Sequence, residues 1–357
     1  MNILSRREFL VASAAGTCGI LRPAHSSAAS KLDISFFLVG DTHYLGNRED
    51  PDQLDEISKA TNARLIDHLN RLPGTEIPEN AGGTTLPTPK GLIHAGDLID
   101  SGDKNGAVFT RMQDTEWKHF VGDYGLSGKD GRLKFPVYEI HGNHDSPQGD
   151  GTVVKNITAR NKNRVGLSNV SKNGLHYSWD WGPVHFVNLG IVVGAVKEVK
   201  RKRRYNPLDS LEFLLSDLKQ NVGESGRPVI LTHHVDVARY STAPNPDGPA
   251  TSAEWDPADV RSYFDALKAY NVIAILYGHT HARNVYRWDG TPKKAEQGFY
   301  VFNVDNSAHF ASKQQACFHF QILDDEMIVR EFASPDRWET AGWSPQVWKS
   351  PIALKKV

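Results

Sequence analysis

At 357 residues, with 39% apolar content and a formal charge of −1 at pH 7, the chain has the length of one large globular domain or two small ones. It is too apolar for a disordered polypeptide, and its charge balance supplies no global field for nucleic acid or a membrane surface, so either partner would need a local patch. The first residues stand apart: Arg6–Arg7, the weakly apolar stretch Val11 to Leu21 and the small-residue run Ser26–Ser27–Ala28–Ala29 read in order as a twin-arginine export signal over residues 1–29. Its apolar run is too short for a stable bilayer span. The expectations are export through the twin-arginine translocase to the periplasm or the outside of the cell, no membrane anchor in the mature form, and one remaining domain over residues 30–357. Cys18 leaves with the signal, and Cys317 alone can form no internal disulfide.

In chain order, Leu32 to Gly40 is an apolar strand that runs into Asp41 and His43. Residues 52–72 carry helical spacing at Leu54, Ile57, Leu65 and Leu69, stopped by Pro73–Gly74. Residues 73–90, rich in Pro, Gly and Thr, read as a surface excursion. A second strand, Gly91 to Asp97, precedes a helix from Phe109 to Phe120. After a glycine-bearing loop, a strand begins at Phe135 and stops at Gly142–Asn143–His144–Asp145. Residues 146–174 read as polar and irregular, with Arg160, Lys162 and Arg164 as a small basic group.

Leu175 to Trp181 and Val184 to Leu189 form a hairpin turned at Gly182–Pro183. The charge run from Lys197 to Arg204 reads as a solvated loop or as a lip that recruits an anionic substrate, nucleic acid or lipid. An amphipathic helix follows from Leu208 to Val222, and a strand over 227–232 delivers His233 and His234. Beyond a polar loop, a helix starts at Asp256–Pro257, and the strand from Ile273 delivers His279 and His281. The rest, to about Arg330, reads as shorter strands closing a second sheet. No internal repeat is present.

Five strands thus end on polar residues that packing does not require. Asn143 offers an amide oxygen, His144 an imidazole that can carry a proton, and Asp145 a carboxylate that can fix the imidazole's tautomer or cap the turn. Asp41, His43, Asp97, Asn143, His233, His279 and His281 together supply two carboxylates, one amide and four imidazoles. That set is too large for one ion, and too oxygen-rich and sulfur-free for a structural zinc finger. It suits two divalent cations bridged by a carboxylate, which would clamp the attacking and leaving oxygens of an in-line displacement. The implied chemistry is hydrolysis at phosphorus.

The order DxH, GD, GNHD, strand-terminal His and GHxH, over residues 33 to about 310, resembles the calcineurin-like metallophosphoesterases. The resemblance implies an α/β fold: a four-layer α/β/β/α sandwich of two mixed sheets, with a dinuclear metal site at the strand ends. It implies that Asp41, His43 and His281 bind one metal and Asn143, His233 and His279 the other, with Asp97 between them. His233 matches the family's position, and His234 takes the role if the strand ends one residue later. His144 is implied to meet the phosphoryl group or protonate the leaving oxygen, with Asp145 holding it. Leu98–Ile99–Asp100 follows Asp97 where purple acid phosphatases end on a tyrosine, which with His43 argues against an iron–tyrosinate centre.

Two divalent ions are therefore expected, and Mn²⁺, Zn²⁺ and Fe²⁺ all suit imidazole and carboxylate ligands. The expected function is an exported phosphoesterase in which a metal-bridging hydroxide attacks a phosphate ester in line. A monoester substrate is favoured over a diester of lipid, nucleotide or nucleic acid, and no stable nucleic acid partner is expected. The competing class is a non-catalytic, metal-dependent binding module, whose mark would be loss of His144 or of a ligand; neither is lost. His25, His68, His119, His176, His185 and His309 are expected to be ordinary structural histidines, and His141 to stand at most behind the ligands.

Overall fold

Side chains alternate between the two faces of a strand, so a strand buried on both sides must be apolar at nearly every position. Asp33–Val39 (β1) is such a strand: Ile34, Phe36 and Leu38 face one apolar layer, Phe37 and Val39 the other. The computed structural model describes residues 32–195, 205–239, 254–304 and 306–353. The expected export signal over residues 1–29 and the basic run from Lys197 to Arg204 lie outside the described residues.

Helix α1, Glu56–Arg71, starts where Asp55 accepts the N–H groups of Ile57 and Ser58, a side-chain cap that sets its first turn. Glu76–Ile77 (β2) and Thr84–Thr85 (β3) pair as a short ribbon within 73–90. Leu92–His94 (β4) and Val137–Glu139 (β5) add parallel to β1, with helix α2, Ala107–Tyr124, between them in the chain. Residues 146–174 are more regular than their polarity suggests. They form helix α3, Thr152–Asn161, because Val153, Val154 and Ile157 share one buried face, and then Leu167–Val170 (β6). The basic group there is no surface patch: Arg160 Nε and Arg164 Nη2 grip the two oxygens of the buried Glu139 at 2.7 and 2.8 Å. Burial works to raise the Glu139 pKa, and the two guanidinium groups outweigh it and hold it at about 2.

Tyr177–Trp181 (β7) and Val184–Asn188 (β8) form the expected hairpin. Helix α4, Ser210–Asp217, continues through a wider turn to Val222, and Pro228–Thr232 (β9) follows. Helix α5, Pro257–Leu267, is capped by Asp256, and Asn271–Tyr277 (β10), Asn284–Trp288 (β11) and Phe299–Asn303 (β12) complete the second sheet. The last strands depart from the sequence expectation. Gln315–Leu323 (β13), Glu326–Ser334 (β14) and Gly342–Pro351 (β15) are long and join the first sheet, β13 pairing antiparallel with β1 from Asp33↔Leu323 to Leu38↔Phe318.

The first sheet runs β15-β14-β13-β1-β4-β5 and the second β11-β12-β10-β9-β8-β7-β6, and both are mixed. Phe36, Phe186, Ile230, Leu276, Phe302 and Phe320 belong to the apolar layer between them. Leu65, Phe120 and Ile157, from α1 to α3, cover the outer face of the first sheet; Leu214, Val260 and Tyr263, from α4 and α5, cover that of the second. The result is the four-layer sandwich. Cys317 is a free, buried thiol, and among the described residues no helix is long and apolar enough to cross a membrane.

Candidate metal centre

The carboxyl ends of β1, β4 and β5 from one sheet, and of β9 and β10 from the other, deliver their polar residues to a common point, as parallel strands in α/β folds do. The loops there are tight. A Cβ on Gly142 would fall 2.2 Å from Asp97 Oδ1, and one on Gly278 would fall 2.6 Å from Asp41 Oδ2, so only glycine allows these carboxylates so close to the neighbouring backbone. Asp41, His43, Asp97, His279 and His281 have φ of 54°, 40°, 54°, 74° and 51°. These are five of the nine non-glycine residues in that region among the described residues. A left-handed backbone costs a side-chain-bearing residue about 1–3 kcal/mol, and such strain gathers where side-chain direction matters more than stability.

Asp41, His43, Asp97 and His281 place one donor atom each within 4.8 Å of one another, and so do Asp97, His234 and His279. Asp97 belongs to both groups. Its Oδ1 accepts the His144 backbone N–H at 2.8 Å, while the buried Oδ2 makes no well-aligned hydrogen bond, with His234 Nε2 at 3.2 Å and His43 Nε2 at 3.5 Å. His43 Nε2 and His281 Nε2 face each other at 3.2 Å, and Asn143 Oδ1 lies 3.0 Å from His234 Nε2. An orphaned carboxylate oxygen among converging imidazole nitrogens is the donor set that a pair of divalent cations requires, so the residues present fit the two metals.

Three of the four imidazoles are held from behind. His43 Nδ1 meets Asp100 Oδ1 at 3.2 Å, His234 Nδ1 donates to Ala95 O at 2.7 Å, and His279 Nε2 meets Glu254 Oε1 at 2.9 Å. Such contacts fix the tautomer and leave the other ring nitrogen free to ligate. Asp41 is braced similarly, both oxygens accepting the His279 N–H at 2.9 Å. Burial disfavours charge on His234, yet the carboxylate of Asp97 beside it raises its pKa to about 9, and His281 is raised against its burial by Asp41. Cation binding would release those protons.

His233, the expected ligand, points away. Val229 and Leu231 face the apolar layer under α4 and α5, and His233 continues their side of the strand, its N–H still donating to Leu276 O at 3.1 Å. Its ring lies among Trp255, Tyr263 and Tyr277, 5.3, 5.5 and 6.5 Å away between centroids. His234 takes the opposite side and occupies the place beside Asp97 and Asn143. His234→Ala should therefore cut bound metal by about half, whereas His233→Ala should keep it and lower the melting temperature through the cavity left behind. Metal analysis and thermal melts of both variants decide the matter; loss of metal from a folded His233→Ala protein would restore the original choice.

Of the two roles expected for Asp145, the capping one is found. The side chain is fully buried and accepts from the N–H groups of Gly142, Leu98 and Ile99 at 2.7, 3.0 and 2.9 Å, so it ties the Asn143 loop to the Asp97 loop and does not hold His144. Its neighbourhood explains its pKa of about 7: burial raises it first, and the charge of Asp97 adds to that. His144 Nδ1 instead faces Asp103 Oδ2 at 3.5 Å. Burial opposes the charge on His144, and Asp103, Asp97 and Asp100 outweigh it and raise its pKa to about 10.

Four residues of the neighbourhood escape the sequence reading: Asp100, Asp103, Glu254 and His309. The two aspartates stand three and six places after Asp97, a spacing that could have drawn attention to them. Glu254 and His309 come from loops with no motif. His309 lies with its ring centroid 4.4 Å from that of His43 and 4.5 Å from that of His281. His141, buried with both ring nitrogens unbonded, touches none of the ligands by hydrogen bond.

A sequence profile of the calcineurin-like phosphoesterases matches residues 34–283. No curated protein sequence matches the chain. Among solved structures, the chain is similar to a dimetal phosphatase from Danio rerio, at 12% identity and a TM-score of 0.54, over 90% of this chain and 99% of that one. It is also similar to PhoD, at 12% identity and a TM-score of 0.53, over 91% of this chain and 72% of that one. At such identity these likenesses speak for the fold. With the profile spanning most of the chain, the protein belongs to the calcineurin-like metallophosphoesterases, metal-dependent hydrolases of phosphate esters.

Proposed function

We propose that this enzyme is an exported phosphomonoesterase that works with two divalent cations, one held by Asp41, His43, Asp97 and His281 and the other by Asp97, Asn143, His234 and His279. The observation that carries it is the pair of donor clusters sharing Asp97. When bound, the cations would supply an activated water at neutral pH and neutralise the phosphoryl oxygens. The remaining work falls to side chains. Asp97, Asp41 and the tethered imidazoles hold the donor geometry without rearrangement, which is what makes electrostatic stabilisation effective. His144, with Nδ1 turned to Asp103, keeps a proton at Nε2 that it can pass to the leaving oxygen as the P–O bond breaks. A protonated His144 also adds a positive charge opposite the second negative charge of a monoester, which a diester lacks. This favours the monoester.

The test is a hydrolysis assay of the mature protein, reloaded separately with Mn²⁺, Zn²⁺ and Fe²⁺, on p-nitrophenyl phosphate and bis-p-nitrophenyl phosphate, with metal content measured on the same samples. Faster turnover of the monoester supports the proposal. A preference for the diester replaces it with a phosphodiesterase, and two bound cations without turnover of either ester removes it. Export rests on Arg6–Arg7 and the run that follows. Changing the pair to Lys–Lys should leave the precursor in the cytoplasm, as fractionation would show; unchanged export would rule out the twin-arginine route.

A further inference from the structure

The family profile ends at Arg283, and beyond β12 the chain crosses back to the first sheet. The crossing is a built loop. Ser307 exchanges two hydrogen bonds with Gly40, its N–H donating to Gly40 O at 2.9 Å and its Oγ accepting the Gly40 N–H at 3.1 Å. Trp338 Nε1 donates to Ser307 O at 2.7 Å, Arg337 Nη2 to Phe310 O at 3.2 Å, and Gln315 Nε2 to His309 O at 3.0 Å. Gly40 immediately precedes Asp41, so this loop is fixed to the same backbone that carries the ligands. At its apex His309 packs on Phe310, centroids 4.5 Å apart and planes at 22°, and edges against His43 at 84°. A ring nitrogen of His309 lies within 4.8 Å of those of His43 and His281.

Its hydrogen bonding distinguishes two roles. Nδ1 accepts the Ala311 backbone N–H at 3.2 Å, which requires a lone pair on Nδ1 and, in a neutral ring, places the proton on Nε2. Ligation through Nε2 would need the proton on Nδ1 instead, where it would confront the Ala311 N–H. Ligation through Nδ1 would break that bond. The ring is thus set up as a donor. It is half-buried and reachable by a ligand, unlike the fully buried His43.

We propose that His309 is a substrate-binding residue whose Nε2–H donates to a phosphoryl oxygen on the Asp41, His43 and His281 side of the centre. This rests on the phosphoesterase reading of the site, and the two fail separately: ester turnover by the unaltered enzyme tests that reading, and the behaviour of His309 variants towards the product tests this one. Titration calorimetry with inorganic phosphate, on holoenzyme carrying Mn²⁺ with the metal content measured, is the experiment. His309→Ala should keep its Mn²⁺ and lose about tenfold or more in phosphate affinity, the scale of a hydrogen bond to a charged group. His309→Gln, which can present an amide N–H in a similar place, should recover much of the loss. Unchanged phosphate affinity in His309→Ala, or no recovery in His309→Gln with its metal in place, overturns the assignment. Loss of Mn²⁺ from folded His309→Ala also overturns it, since His309 would then be a ligand.

Discussion

Asp97→Asn should leave a folded protein that binds one divalent cation or none and turns over its substrate about 10³-fold more slowly. Asn keeps the shape of Asp, and its amide oxygen can still accept the His144 N–H that Oδ1 accepts at 2.8 Å, so the loop stays in place. What changes is the other atom. An amide N–H replaces Oδ2 and can donate to His234 Nε2 or His43 Nε2, the groups now 3.2 and 3.5 Å away, so the cation-free variant should melt no lower than the cation-free enzyme. A preorganised charged group aimed at the reacting centre contributes about 10²–10³ in rate, and here the loss of a shared cation ligand adds to it. Metal analysis, a melt and kcat on one preparation test all three expectations. Full metal content with unaltered turnover would mean that Asp97 does not join the two halves.

His144→Ala should behave in the opposite way, keeping its metals and losing about 10²–10⁴ in kcat, the usual contribution of a positioned acid. The loss should be largest on alkyl phosphates, whose leaving oxygen needs the proton, and smallest on p-nitrophenyl phosphate. Equal losses on both would take His144 out of the proton-donating role. The acid can also be tuned. Asp103 is among the carboxylates that raise the His144 pKa, so Asp103→Asn should lower it and move the alkaline limb of the rate profile to lower pH. Below that limb His144 remains protonated and the rate should change little.

Much of this centre is legible in the sequence because its ligands close apolar strands, with a glycine beside them at every one except β9. The DxH, GD, GNHD and GHxH residues all arrive where the order of motifs places them, with the same Asp97 in the middle. The choice between His233 and His234 was legible too, had the alternation of β9 been carried one step past Thr232: Val229, Leu231 and His233 share a side, Ile230 and His234 the other. For Asp145 the sequence offered both roles, and the structure shows the capping one: a carboxylate that collects three backbone N–H groups looks in sequence like one that orients an imidazole. His68, His176 and His185 are structural, bonded to Trp338 O, Leu208 O and the Asp180 and Asp217 carboxylates. His309 belongs to the same unremarkable class by sequence and lies against the ligands all the same. No local pattern tells β13 to β15 which sheet to join; that is decided by which edge of β1 is left open.

That edge has a consequence for how the protein is made. Asp33 pairs with Leu323, so β1 sits between a neighbour synthesised soon after it and one synthesised much later. A nascent chain can set β4 and β5 against β1, but the other side of β1 stays unpaired until Gln315–Leu323 has left the ribosome, and contacts this distant in sequence form slowly. Asp41 and His43 hang from β1, and His279 and His281 come from β10. Asp41 and His279 stand 238 residues apart in the chain, so the two halves of the donor set can meet only once β10 has been made and has joined its sheet.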